Sequence, residues 1–558
     1  MSWKENPLIQ SPKSVTMGTR RNSTSSLNAN TQLLSEESTY YGSVRSSRGR
    51  RSRFQRGLGV IEDENDDQIS YDASIDTELN DEDEPKVTVE AEMKAIVASS
   101  IPLSLTFFFE YLLAVNSLFL IGRLGSDELA AASLAVMTFN VTGMAVFEGM
   151  STCLDTFCSQ AFGAGKYNRV GMYFQRCTAM ITCISIPIFA LWYWSAFFLN
   201  YIIPETHLLV MTQQYLRILV VGAPGLILFE TGKRYLQSQK IFHASTYVLF
   251  FCLPFNIVLN YTLIGWLGFV GAPIAITITY WTMALLLLLY VVLIDGRECW
   301  PGFSLSKAFK KWGPMLNLAV PGLVMIESEY LSFEILTVFA AHLGTESLAA
   351  QAIVSNIGSL TYQLPFAVGC AISTRVAIYI GSGSIHSSKV AVRISFLVAA
   401  IVGTATCLII IIFRRQFSLL FSSDEDVLAI AIKTMPIIAV NQLADTVNII
   451  AAGILRSQGR QKVASYFNLA CYYIVALPLA YLLAFELGLG LSGLWLGLGA
   501  GISLLALSES VMVVRSNWPQ IMREARERED EPEEVIIDDE STIASDGSAA
   551  SSLYEEGI

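Results

Sequence analysis

The sequence predicts an all-α polytopic membrane protein of twelve transmembrane helices in two six-helix lobes. Three observations lead there. The 558 residues are 53% hydrophobic and only 15% charged, with mean hydropathy +0.47, whereas soluble domains carry about 25% charged residues. Apolar runs long enough to cross a bilayer alternate with short polar breaks from Ala95 to Val514. The chain also repeats itself at a fixed offset.

A membrane helix needs about 20 apolar residues. Runs of that kind fall at 95–121, 128–158, 170–198, 210–231, 243–264 and 268–294, then at 312–341, 346–380, 390–414, 427–455, 463–485 and 489–514. Sheet is excluded because an open strand edge has no hydrogen-bond partner in lipid. The chain divides into a polar tail (1–92), a first lobe (93–294), a linker (295–311), a second lobe (312–514) and an acidic tail (515–558).

Both tails are too polar to bury a core and read as disordered. They also explain the net charge of −12, because acids crowd into 61–85 and 523–540. The basic patch "RSSRGRRSRFQR" (45–56) is the kind of segment drawn to anionic lipid. "KENPLI" and "YGSV" loosely resemble sorting signals. No apolar stretch opens the chain as a signal peptide would, so insertion is expected to begin at the first membrane helix.

The polar breaks differ in charge. One set holds Lys166, Arg169, Lys233, Arg234, Lys240, Arg297, Lys307, Lys310, Lys311, Lys389, Arg393, Arg456, Arg460 and Lys462; the alternate set holds Arg123, Arg414 and Arg415. The positive-inside rule places the first set, and with it both tails, in the cytosol.

The repeat is read from "GRLGSDELAAASLAV" (122–136) against "AHLGTESLAAQAIVS" (341–355), an offset of 219 residues. "YLQSQ" (235–239) meets "ILRSQ" (454–458) at the same offset, and "GAG" (163–165) meets "GSG" (381–383) at 218. Six helices per repeat give both halves the same orientation, related by an axis along the membrane normal. In this register Pro102 falls on Pro321 and "EYL" at Glu110 on "EYL" at Glu329. Glu327 and Glu334 fall on Phe108 and Val115 and are additions of the second half.

An acid at the bilayer centre costs about 2.5–3.5 kcal/mol on insertion scales, so intramembrane acids are read as functional first. Glu110, Glu148, Asp155, Glu230, Glu327, Glu329, Glu334 and Asp445 all lie in apolar runs. Glu329, Glu334 and Asp445 are the best candidates for proton or cation coupling, with Glu110 and Glu327 as further coupling or cavity residues. Burial and a neighbouring carboxylate both favour the protonated form of such a group; the bland reading is a neutral acid hydrogen-bonded between helices. On an ideal helix Glu327 and Glu334 share a face, while Glu329 and Glu334 stand roughly 140° apart, so they converge only if the helix bends; Pro321 and Gly322 are placed to loosen its first turns. Asp155 is expected near an end, with Arg375 a candidate partner. Tyr330, Asn356, Tyr362, Asn441 and Gln442 would give a cavity polar edges and aromatic faces, which suit organic cations.

Four His and nine Cys form no metal or disulfide spacing. There is no phosphate-binding loop, HExxH or nucleophile triad, so neither an enzyme nor a cofactor is expected.

"FNVTGMAVFEGMSTCLDTFCSQAFGAG" (139–165), "EYLSFE" (329–334) and "LADTVNIIAAGILRSQG" (443–459) resemble the second-, seventh- and tenth-helix motifs of the eukaryotic multidrug and toxic compound extrusion (MATE) family, and the tails point to a fungal member. The resemblance covers about 95–514. It implies two six-helix bundles around a central cavity and export of organic, often cationic compounds in exchange for protons or sodium. It also picks Glu329, Glu334 and Asp445 as the second-lobe site. Some animal members carry an acid where this chain has Asn356, and bacterial members carry an Asp near the position of Ser117.

The resulting expectation is a proton-driven antiporter with sodium possible. Its partners would be small organic substrates and the lipid bilayer rather than nucleic acid, and it would act as a monomer in the vacuolar or plasma membrane. A lipid-linked sugar flippase and a membrane scaffold or receptor working through its tails are the alternatives.

Overall fold

The computed structural model describes residues 87–200, 205–422 and 424–530. The basic patch, the two short sorting-like motifs and the acids of 61–85 lie outside these residues.

The described chain is helical throughout. α1 (Val89–Ile121) is followed by α2 (Ser126–Gly163), α3 (Tyr167–Tyr193), α4 (Thr206–Ser238), α5 (His243–Leu267) and α6 (Gly271–Leu293). The second half runs through α7 (Trp312–His342), α8 (Thr345–Ser382), α9 (Ile385–Leu419), α10 (Glu425–Ser457), α11 (Gln461–Glu486) and α12 (Leu491–Val514). The linker holds a short helix at Leu305–Ala308. α4 and α10 begin and end 219 residues apart, and so do α2 and α8. The repeat seen as letters is thus a repeat of helix boundaries.

Each half has its own apolar core. One buries Phe147, Trp192, Tyr215 and Phe229; the other buries Tyr472, Trp495, Met435 and Leu498. Large apolar side chains such as Phe250, Tyr261, Trp266 and Leu293 point outward and are more than half exposed, as a lipid-facing surface requires. Pro321 does not loosen α7, which stays helical through it. Gly322 there serves close packing instead: a Cβ would strike Thr152 and the Gly149 carbonyl of α2, while a Cβ on Gly149 would strike the Leu323 backbone. Small residues let helix backbones approach in this way.

α2 and α8 each contain 38 residues, about 57 Å of helix at 1.5 Å per residue, well beyond the roughly 30 Å hydrocarbon layer. Their overhanging ends cross at the Lys- and Arg-rich end of the bundle. Gly163 meets the Ile378 carbonyl and Gly381 meets the Gln160 carbonyl with no room for a side chain. Around this crossing the Thr156 hydroxyl donates to the Arg456 carbonyl (2.6 Å) and the Gln160 amide donates to the Ser457 carbonyl (2.8 Å). The two halves are therefore locked together at the basic end.

Three sequence expectations need correction. Lys233 and Arg234 are not loop charges; they are 3% and 6% exposed inside the first half, held by acids. Asp155 pairs with Arg234 at 2.9 Å and not with Arg375. Arg375 grips Glu92 through two nitrogens at 2.7 Å, with the Tyr379 hydroxyl donating to the same carboxylate.

The third correction concerns the C-terminal tail, whose start forms a helix, α13 (Trp518–Asp530). Trp518, Ile521 and Ala525 bury one face in the second-half core. Its far end reaches the first half, where Lys166 pairs with Asp530 at 2.6 Å and Arg169 lies 4.0 Å from Glu529. Burial pushes the Glu529 carboxyl up to about 7 against the opposing pull of Arg169, Lys166 and Arg528, with Asp530 adding to the rise.

Docking that raises an acid's pKa is favoured at low pH and lost as pH rises through the docked value. We expect hydrogen exchange of α13, corrected for the intrinsic rate, to speed up as pH rises from the free carboxyl value of 4.5 to the docked value of about 7. Glu529→Gln should flatten that dependence. An equal pH response in the variant would clear Glu529 of the effect.

Candidate functional site

The intramembrane acids separate into two groups built differently. In the first half, the α4 ammonium of Lys233 donates to Glu110 of α1 at 2.8 Å and to Glu230, one turn away, at 2.9 Å. The Phe107 ring lies 5.0 Å from the same ammonium, which adds a cation–π contact to the ion pairs. From the next residue, the Arg234 guanidinium donates to both oxygens of Asp155 and to the Ser151 hydroxyl. This half thus carries its buried acids with buried bases beside them.

The second half lacks those bases. At the 219-residue offset Lys233 and Arg234 fall on Ala452 and Gly453. Glu329, the repeat partner of Glu110, instead shares its surroundings with Asp445 of α10. The Tyr362 hydroxyl of α8 and the first-half carboxylate of Glu148 both lie within electrostatic reach of Glu329. Asp445 is 7% exposed and interacts with the Asn448 side chain. The cation that reaches this region is Arg456, near the basic end of α10; its Nε has no hydrogen-bond partner.

The site is lined by polar aromatics. Tyr330 is 39% exposed although it lies mid-helix and feels Glu148, Glu230, Glu327 and Glu329 around it. That combination describes a wall of an open crevice. Across the halves, the Tyr111 hydroxyl donates to the Asn356 carbonyl and side-chain oxygen at 3.3 and 3.1 Å.

The predicted residues therefore fare differently. Glu329, Asp445, Tyr330 and Tyr362 come together, whereas Asn356 meets Tyr111 of α1. Glu334 is half-buried further along α7, outside the Glu329–Asp445 group. Glu327 turns toward Tyr473 of α11, and one of its oxygens is buried without a partner. Asn441 packs against α12, its amide donating to the Trp495 carbonyl at 2.8 Å. Gln442 is buried, with its amide nitrogen unpartnered. Glu110 is a member of a buried ion cluster.

Sequence reading missed Glu509 on α12, which is 0% exposed, accepts from Asn468 at 3.2 Å and lies in reach of Arg456 and Glu329. Its signal was present, since "ALSESVMVV" is an apolar run interrupted by one acid. The Ser117 region is neutral: Asn260 donates to Ser117 and Asn256, and Asn116 donates to Asn256, while the Asn260 side-chain oxygen is buried without a partner.

Comparison with known proteins agrees with this architecture. The MatE family profile matches residues 102–262 and again 321–482, two copies whose starts are 219 residues apart. An uncharacterised transporter of Saccharomyces cerevisiae is 40% identical over 82% of this chain and 67% of its own. One from Schizosaccharomyces pombe is 37% identical over 83% of this chain and 88% of its own. Multidrug and toxin extrusion protein 2 of Oryctolagus cuniculus is 32% identical over 78% of this chain and 73% of its own. Among solved structures, the eukaryotic MATE transporter AtDTX14 superposes with a TM-score of 0.72 at 28% identity, covering 79% of this chain and 98% of that one.

Proposed function

Since the chain belongs to the MATE family of multi-pass membrane transporters, we propose that it exports organic, cationic or amphipathic compounds from the cytosol in exchange for protons. The observation that carries this reading is the Glu329–Asp445 pair. Two carboxylates, the half-buried Glu329 and the buried Asp445, share a site beside tyrosine faces, whereas the first-half counterpart Glu110 is held by Lys233.

Such a pair accepts either a cation or protons, because two adjacent anions disfavour each other. A cationic cargo brings its own charge and lays its apolar part on Tyr330 and Tyr362. Protons entering from the outer or luminal side neutralise the acids and release it. The basic end then opens, the protons leave to the cytosol and the site regains its charge. Exchange follows because protons and cargo favour different states of the two lobes. In this reading the basic end faces the cytosol, both tails lie there, the membrane is vacuolar or plasma membrane, and one chain suffices.

The test is uptake of a panel of radiolabelled organic cations into proteoliposomes under an imposed pH gradient, with a sodium gradient as a separate arm. Asp445→Asn should reduce pH-driven uptake at least about tenfold, a transition-state or coupling loss of roughly 1.4 kcal/mol or more. Glu334→Gln should cost less, because Glu334 stands outside the pair. Normal pH-driven uptake by Asp445→Asn, or uptake that follows sodium alone, would overturn the proton assignment.

A further inference from the structure

At the basic end, away from the carboxylates, a second cavity lies where three parts of the chain meet. Its volume is about 40 Å³, and part of it is open to solvent. Arg169, Tyr173 and Arg176 come from α3, Lys311 from the turn before α7, and Arg528 from α13; Phe157 of α2 closes one wall. None of its lining residues is acidic. Glu529 and Asp530 stand behind it, turned to Arg169 and Lys166.

Four cations around one cavity repel each other, and the buried one, Arg176, is costly to desolvate. Arg176 is 9% exposed and Tyr173 6%. Burial lowers the affinity of Arg528 for its proton, and one of its terminal nitrogens is buried without a hydrogen-bond partner. Lys311 is held with positive φ (56°), a conformation that L-residues other than Gly rarely adopt and that marks functional positions. These features converge on an anion. Guanidinium groups present paired donors to phosphate oxygens, and lysine adds a point charge. Basic pockets between membrane helices are the usual receptors of phosphorylated headgroups.

We propose that this cavity is a binding site for a phosphate-bearing anion, seated among Arg169, Arg176, Lys311 and Arg528. Because these residues come from the first half, the entry to the second half and the C-terminal helix, an occupant ties all three together. It neutralises the cluster and holds the basic end closed. The site is separate from the transport carboxylates, so its failure and theirs are distinguishable.

The experiment uses the full-length protein in phosphatidylcholine nanodiscs. Binding is measured for a short-chain phosphatidylinositol 4,5-bisphosphate, for inositol 1,4,5-trisphosphate and for inorganic phosphate. Lys311→Gln with Arg528→Gln should weaken binding at least about tenfold, the expected result of removing two charge-assisted contacts. Lys389→Gln with Arg393→Gln, an equal loss of two charges on exposed residues at the same end, should stay within twofold.

Preference for the lipid identifies a membrane headgroup, and equal binding of the free inositol phosphate or of phosphate identifies a soluble anion; both support the site. Absence of binding by all three probes, or equal weakening in the Lys389 and Arg393 control, would overturn it. Should the double variant not purify, Arg528→Lys, which keeps the charge, is compared with Arg528→Gln; equal affinities in those two would also overturn it.

Discussion

Lys233→Met should be among the most damaging single substitutions in the protein. The ammonium is the shared partner of Glu110 and Glu230, and the side chains of Lys233 and Glu230 are 4% and 2% exposed. Removing one member of a buried ion cluster costs about 3–5 kcal/mol, since the remaining charges lose their counterion while staying desolvated. The measurement is thermal unfolding of the detergent-purified protein, followed by monodispersity on sizing. The variant should melt well below the wild type. Adding Glu110→Gln and Glu230→Gln should restore much of the loss, because a neutral amide no longer needs the lysine. A melting curve unchanged by Lys233→Met would show that the cluster does not hold the first half together.

The second large effect is an asymmetry between repeat partners. Glu329→Gln is expected to lower pH-driven uptake at least about tenfold, while Glu110→Gln should leave its proton dependence in place and lower thermal stability. The two glutamates occupy equivalent positions, yet α4 offers Glu110 a lysine where α10 offers Glu329 an alanine. Glu110 is committed to an ion pair with Lys233, and on the proposed mechanism Glu329 is left to exchange its partner. Uptake and melting measured on the same preparations separate the roles. Loss of proton coupling in Glu110→Gln at wild-type stability would reverse the assignment.

The helices were legible because apolarity and an offset of 219 are local properties of the string. The register that set Glu110 on Glu329 is also the register of the helix ends, so the repeat was read correctly from letters alone. Pairing across distance was not legible. Lys233 follows an apolar run, and its charge reads as the start of a loop until Glu110, 123 residues earlier, is seen beside it. Asp155 and Arg375 look like partners by position, but each had a better-placed ion in Arg234 and Glu92. The acid-rich "REARERED" hid α13, because its composition reads as tail while Trp518, Ile521 and Ala525 carry the apolar stripe of a docked helix. The site itself was half legible: the intramembrane acids announced themselves by cost, and only their neighbours tell Glu329 from Glu334.

The crossing of Gly163 over the Ile378 carbonyl and of Gly381 over the Gln160 carbonyl bears on energy conservation. A machine that trades a proton for cargo wastes its gradient whenever both mouths stand open together. Bare backbone against bare backbone leaves no side-chain gap for a file of water, so the crossing works as a gasket between the two aqueous phases. On the proposed proton exchange, the tightness of that gasket, as much as the affinity of any carboxylate, sets how many protons are spent for each molecule moved.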